Sequence, residues 1–171
     1  SAEGLRLASH LRDRLSPVQP RTQGHSQRPL VVCIAWLSTL YVAGHWVPEM
    51  VQLAGGQDVL AQPGSPSRVM TWDEVLAAAP DVLIVMPCGF SVERTQIELG
   101  QMMQQTGQWS LSSDLAQHTF LVDASSYFSR PAPRLIDGIE LVAALLHPSD
   151  HDPIHESMAR RLGPLPIHQC P

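Results

Sequence analysis

The chain has 171 residues, 44% hydrophobic and 16% charged, with a formal net charge of −5; that balance describes one ordinary domain with a buried core and excludes a disordered chain. The longest apolar run, 30–37, is eight residues, far short of the roughly 18 to 20 that cross a bilayer. All eleven cations are arginines, scattered rather than stacked in a stripe, so no nucleic-acid partner is expected.

Leu5, Leu7, Leu11 and Leu15 form a rough helical stripe that Pro17 and Pro20 end, which predicts a helix over 3–15. Residues 1–15 carry no apolar segment of the signal-peptide kind, and the chain does not begin with Met. From 17 to 28 the composition shifts to Pro, Gln, Arg, Gly and Ser, which is linker chemistry. The apolar run 30–36 then reads as a strand buried on both faces. Pro48 opens a helix whose Val47, Met50, Val51 and Leu53 face the core until Gly55 and Gly56 cap it. After a Pro/Gly/Ser loop over 62–68, Thr71 and Glu74 form an S/T-x-x-E capping box for a helix through Ala79, stopped by Pro80. A second apolar strand covers 81–86, and Ser91 caps a glutamine-rich helix to about Thr106. A third strand spans 119–123, and Pro131 or Pro133 begins a helix carrying Leu135, Ile139, Val142 and Leu146, closed by Pro148. Residues 149–171 read as an extended tail with at most one helical turn at 154–162. Strands alternating with helices predict an α/β fold, a three-layer lobe with a mainly parallel sheet.

Ligands of such sheets bind beyond the carboxyl ends of the strands, so the loops after 36, 86 and 123 carry the information. Trp36, Tyr41, Trp46, Phe90, Tyr127 and Phe128 all fall in them. Aromatic rings gathered at one sheet edge suit a large, flat, partly apolar ligand; the plainer alternative is a capped core. Arg130 offers a guanidinium for a carboxylate, amide or phosphate, or an ordinary surface ion pair, while Arg134 at the start of a helix reads as structural.

The chain has no G-x-S-x-G elbow, P-loop, G-x-G-x-x-G or H-E-x-x-H motif. Cys88, followed by Gly89 at a strand end, is a candidate nucleophile if His45 approaches it, and otherwise a small buried thiol. Cys33, Cys88 and Cys170 form neither a disulfide framework nor a zinc signature. His151, His155, His168 and Cys170 have donor chemistry, but the proline-rich tail around them reads as fortuitous clustering, so no metal site is expected.

Several segments in order carry a resemblance. They are Tyr-Val-Ala-Gly-His-Trp-Val-Pro-Glu-Met over 41–50, Leu-Ala-Gly-Gly over 53–56, and Thr-Trp-Asp-Glu-Val-Leu over 71–76. Pro-Asp-Val-Leu-Ile-Val-Met-Pro-Cys-Gly-Phe over 80–90 and Tyr-Phe-Ser-Arg-Pro-Ala-Pro-Arg-Leu-Ile-Asp-Gly over 127–138 complete the set. From about 29 to 148 the sequence resembles the helical-backbone periplasmic binding proteins that serve ABC importers of cobalamin, haem and ferric siderophores, most closely the cobalamin-binding members. The resemblance implies two α/β lobes bridged by one long helix, with the ligand clamped between them. It makes 1–16 the end of the inter-lobe helix, 17–28 a linker, 29–148 the C-terminal ligand-binding lobe and 149–171 a tail, with an N-terminal lobe of the same protein upstream.

Residue by residue, Tyr41 matches an aromatic lying against the corrinoid, and Arg130 an arginine that hydrogen-bonds its polar periphery. His45, Trp46, Phe90, Tyr127 and Phe128 would share the cleft. Asp73 matches the acidic residue, usually Glu, that docks the lobe on the ABC permease, with Glu74 beside it. The sequence departs from the family at Ser67, where some relatives carry a ligand-flanking tryptophan, and at Ser126, where the arginine's acidic partner stands. The resemblance implies a non-enzymatic carrier of cobalamin or a related corrinoid as cargo, with no cofactor of its own. The alternatives are a haem or ferric-siderophore carrier, or a cysteine-dependent enzyme using Cys88. The implied location is periplasmic or cell-envelope, and with no signal peptide in view a cytoplasmic one stays open.

Overall fold

The computed structural model describes residues 2–16, 18, 28–106, 111–148 and 154–162. Along the chain run α1 (Ala2–Leu15), β1 (Leu30–Trp36), β2 (Tyr41–Val42), α2 (Val47–Leu53), β3 (Gln57–Asp58), β4 (Arg68–Val69) and α3 (Trp72–Ala77). There follow β5 (Val82–Val85), α4 (Val92–Thr106), α5 (Ser113–Gln117), β6 (Thr119–Val122), α6 (Ala124–Tyr127), α7 (Leu135–Leu146) and β7 (Ala159–Arg161).

The strands form one sheet in the order β4-β2-β1-β5-β6-β7, with β3 also on β1. β3, β1, β5 and β6 run parallel, while toward the two edges β2 pairs antiparallel with β1, β4 antiparallel with β2, and β7 antiparallel with β6. One edge of β1 is divided between two partners. β3 pairs its first half at Leu30 and Val31, and β2 its second half at Ile34 and Trp36.

Because side chains alternate across a strand, the central strands feed two cores. On one face Val31, Cys33, Ile84 and Val122 meet Met50 and Val51 of α2 and Ile139 and Val142 of α7. On the other, Val32, Ile34, Leu83, Val85 and Leu121 meet Trp72 and Val75 of α3, Val92 and Leu99 of α4 and Leu115 of α5. This is the three-layer α/β lobe that the continuous apolar strands predict. Each fully buried Ile or Leu, such as Ile34, Leu83, Ile84 and Leu121, contributes about 1.5 to 3 kcal/mol through burial.

The caps follow the sequence closely. Thr71 and Glu74 close the capping box, with the Thr71 N–H 2.7 Å from Glu74 Oε2 and the Glu74 N–H 3.3 Å from Thr71 Oγ1. The helix ends at Ala77, short of the expected Ala79, whose φ of 46° takes the backbone out of the helix. Ser91 Oγ accepts from the Arg94 N–H at the start of α4, and Gly55 leaves α2 at a φ of 86°. α1 is fastened to α7 by Arg14, whose Nη2 lies 2.6 Å from Asp137 Oδ1 and 2.5 Å from Glu140 Oε2.

The one turn expected within 154–162 is present, His155 O accepting from the Met158 and Ala159 N–H groups at 2.9 and 3.3 Å, but it leads into a strand rather than an extended tail. Ala159–Arg161 is a strand, with Ala159 opposite Val122 and Arg161 opposite Phe120. Its signal is hidden because a three-residue edge strand with two arginines shows no apolar alternation. Most of the linker segment 17–28 lies outside the described residues, as do His151, His168 and Cys170. Among the described residues no helix is long and apolar enough to cross a membrane, and no three His, Cys, Asp or Glu side chains gather as a metal site.

Candidate functional site

The loop after β1 folds back on its own strand. β2 pairs Val42 with Ile34 and Tyr41 with Trp36, and the Ala43 N–H donates to Cys33 O at 2.7 Å. The next residue has to be glycine, because a Cβ on Gly44 would lie 2.4 Å from Ser65 O and 2.5 Å from Ser67 N. That approach lets the Gly44 N–H donate to Ser67 Oγ at 3.2 Å. His45 follows at a φ of 57°, a left-handed conformation rare outside glycine. It is held there from both sides, its N–H donating to Ser65 O at 2.6 Å and its carbonyl accepting from the Gly64 N–H at 2.8 Å.

The loop after β5 is a tight turn over 87–90. The Phe90 N–H donates to Pro87 O at 3.0 Å, and Gly89 supplies the positive φ of 78° that a type II turn requires at its third residue. The turn is tied at both shoulders. The Cys88 N–H donates to Ala35 O at 3.1 Å, and the Gly89 N–H donates to Ser129 Oγ at 2.8 Å, whose own hydroxyl donates to Ala124 O. After β6, Asp123 caps α6 by accepting from the Ser126 N–H at 3.0 Å. Trp46 then joins the β1 and β6 loops, its indole Nε1–H donating to Phe128 O at 2.9 Å.

These loops enclose a recess of about 240 Å³ beyond the ends of β1 and β5. Ala35 and Met86 line it from the strands, His45, Trp46 and Ser67 from one side, and Cys88, Phe128 and Ser129 from the turn and the β6 loop. A second recess of about 250 Å³ lies against α4, lined by Trp36, Pro87, Phe90, Glu98 and Met102. There Trp36, 38% exposed, meets the Phe90 ring edge-on at 5.4 Å, and the Arg94 guanidinium sits 3.7 Å over Phe90.

Of the residues singled out from the sequence, His45, Trp46 and Phe128 come together in the first recess, and Phe90 lines the second. Tyr41 is half-buried on β2 between β1 and β4, Tyr127 is half-buried against the core, and Arg130 is exposed beyond them. None of these three lines either recess. Cys88 is exposed at the turn, not the buried thiol that small size alone suggests; Cys33 is the buried one. Burial, and then the nearby Asp58 carboxylate, push the Cys33 thiol well above its usual range.

Asp73 and Glu74 both lie exposed in the first turn of α3. Glu74 is engaged in its cap, where the backbone N–H and then the hydroxyl of Thr71 hold its carboxylate below the usual range. Asp73 is thus the acidic side chain of the pair not committed to the capping box. Gly44, Ser67 and Ser129 fasten the loops; the Gly-His-Trp triplet is a weak signal of the first, Ser67 stands out in the sequence only as a departure from relatives that carry tryptophan there, and no local pattern marks Ser129.

An open α/β lobe with a partly apolar recess beyond its strand ends has the build of a small-ligand binding lobe. Residues 1–114 match the family of periplasmic binding proteins, and the chain belongs to that family. It is 26% identical over 150 residues to the vitamin B12-binding protein of Vibrio cholerae, covering 84% of this chain and 49% of that protein, so it spans about half the length of the curated relatives it matches. The fold is shared with an ABC transporter substrate-binding protein from Listeria monocytogenes, at a TM-score of 0.72, 13% identity and coverage of 86% of this chain and 58% of that one. It is shared likewise with S. aureus IsdE complexed with heme, at a TM-score of 0.70, 15% identity, 85% and 58% coverage. The periplasmic vitamin B12 binding protein BtuF of Vibrio cholerae gives a TM-score of 0.59, 20% identity, 82% and 52% coverage.

Proposed function

We propose that this chain is one ligand-binding lobe of a substrate-binding protein, and that its ligand is cobalamin or a related corrinoid delivered to an ABC importer. The observation carrying the reading is the recess at the strand ends, lined by Trp46 and Phe128, in a chain 26% identical to a vitamin B12-binding protein. Rings fixed beside a partly apolar recess favour a large flat ligand through burial and stacking. In this reading His45, Trp46 and Phe128 meet the macrocycle, while Tyr41, Phe90, Tyr127 and Arg130 on the surrounding loops contact its periphery. The protein binds without turnover in the periplasm or cell envelope. Asp73, with Glu74 behind it, faces cations of the permease.

The test is calorimetric titration of the full-length protein with cyanocobalamin, dicyanocobinamide and haemin in parallel. Saturable one-to-one corrinoid binding, weakened by about 1 to 3 kcal/mol in Tyr41→Ala and Arg130→Ala through a lost apolar contact or a lost charged hydrogen bond, is expected. A folded protein that gives no heat with either corrinoid overturns the reading, and saturable haemin binding in its place moves the function to haem transport.

A further inference from the structure

One loop of the recess wall carries two costs at once. Residues 59–67 lead from β3 to β4, and at their far end Ser65 O and the Gly64 N–H hold His45 at its left-handed φ of 57°. At their near end Asp58 Oδ1 accepts from the N–H groups of Leu60 and Ala61, while Asp58 Oδ2 is buried with no hydrogen-bond partner among the described residues. A left-handed residue other than glycine and a buried carboxylate oxygen without a donor both oppose the docked loop. Apolar burial holds it down only lightly: Val59 and Leu60 rest against the core, but Gln62, Pro63, Gly64 and Pro66 are exposed. The two ends are tied to each other, because Leu60 O accepts from Arg68 Nη2 and the neighbouring Ser67 Oγ accepts from the Gly44 N–H.

The balance at Asp58 is set by burial against those two backbone donors, and burial wins, raising the carboxyl to about 6. The titratable and charged groups on the elements around it are the buried Cys33 thiol of β1, exposed Glu49 of α2, Arg68 of β4, committed to Leu60 O, and the buried His147 past Leu146 at the end of α7. Exposed His45 stands at the far end of the loop. We propose that the 59–67 loop is a proton-operated wall of the recess, docked while Asp58 is protonated and released when Asp58 ionises. Opening hydrates Oδ2, gives up the Leu60 and Ala61 bonds, and draws Ser65 and Gly64 away from His45, whose backbone then returns to an ordinary negative φ. His45 and Ser67 line the recess, so one side of it slackens with the loop. The sign follows from the burial: the docked loop prefers the protonated carboxyl, so the wall is whole on the acid side and loosens as pH rises through about 6. The consequence for ligand affinity rests on the ring-binding reading above; the movement of the loop does not.

The test is amide hydrogen exchange of the full-length protein without ligand, at about pH 5 and about pH 8, corrected for the intrinsic dependence of exchange on pH. Opening of the 59–67 loop should increase at least about tenfold between the two, with exchange in β1 unchanged. Asp58→Asn should make loop opening independent of pH, and Asp58→Ser, whose hydroxyl accepts from the same N–H groups more weakly, should do so as well. Loop exchange that is independent of pH in the wild-type protein overturns the proposal. A dependence that persists in both variants overturns Asp58 as the group that titrates. Calorimetry with cyanocobalamin at about pH 7, in two buffers of different ionisation enthalpy, tests the link to the recess. Binding should take up a proton, up to about one per ligand, in wild type and none in Asp58→Asn. A loop that opens with pH while binding takes up no proton overturns that link and leaves ring binding standing. Absence of binding by cyanocobalamin and haemin alike overturns the ring-binding reading, while a pH-dependent loop in the same protein still supports the movement.

Discussion

Asp58 ends β3 and turns back toward the lobe, its Oδ1 accepting from the N–H groups of Leu60 and Ala61 at 3.0 and 2.9 Å. Its Oδ2 is buried without a partner among the described residues. Burial pushes the carboxyl up from its ordinary 3.8 to about 6, and the two backbone donors restrain the rise without cancelling it. The buried Cys33 thiol is the titratable neighbour, and Arg68, a cation of the following loop, spends Nη2 on Leu60 O at 2.9 Å. The sign follows from proton linkage. The folded state holds the proton more tightly than the unfolded chain, so stability is greatest below the unfolded pKa and falls as pH rises toward 6. A rise from 3.8 to about 6 corresponds to about 3 kcal/mol lost by neutral pH, at about 1.4 kcal/mol for each tenfold step.

Asp58→Asn keeps an acceptor for the two N–H groups and removes the charge. Its new amide N–H₂ inherits the unpartnered place, at a cost of about 1 to 3 kcal/mol. That cost is independent of pH, so comparing two pH values isolates the ionisation. Guanidinium unfolding followed by tryptophan fluorescence, at about pH 4 and about pH 8, should show the Asp58→Asn variant gaining about 1 to 3 kcal/mol on wild type between the two. An unchanged difference would mean that the carboxylate is hydrated in the folded protein, and the reasoning would fail.

Gly44→Ala drives a Cβ into the backbone of 65–67; because backbone has to yield, a loss of about 3 kcal/mol is expected, read as a lowered melting temperature, and a wild-type melt would refute it. Trp46→Phe keeps a ring but removes the Nε1–H donor to Phe128 O. It should cost about 1 kcal/mol and increase amide hydrogen exchange in the β6 loop; unchanged protection there would show that the indole does not brace the two loops.

The parts of the fold legible in the sequence are those whose signal is repeated over many residues. β1, β5 and β6 read as continuous apolar runs because both their faces are covered, and α3 and α4 are announced by Thr71 and Ser91. β2, β3 and β4 are two residues each, too short for any period to show. They exist because β1 and each other offer unpaired backbone groups. β7 adds only three residues at the far edge, two of them arginines. At the site, chain position predicted the neighbourhood of the aromatic rings but not their direction. His45, Trp46 and Phe128 share a recess, whereas Tyr41 is drawn into β2 by its pairing opposite Trp36 and Val69. Ser67 and Ser129, which close the loops on each other, act across long sequence separations that no local window contains.

The divided edge of β1 bears on the thermodynamics of whatever the recess receives. With β3 and β2 along one side and β5 along the other, the strand has little freedom left to lose, and Ala35 at its end delivers part of the recess already immobilised. A ligand meeting that surface has only the loop walls to order, and less ordering at the moment of binding leaves more of the contact energy as affinity. Amide exchange should divide accordingly, with β1 opening only when the whole lobe unfolds and the 62–67 loop opening alone. In the proposed binding role the lobe is a stiff jaw, and selectivity then falls to the side chains along its rim.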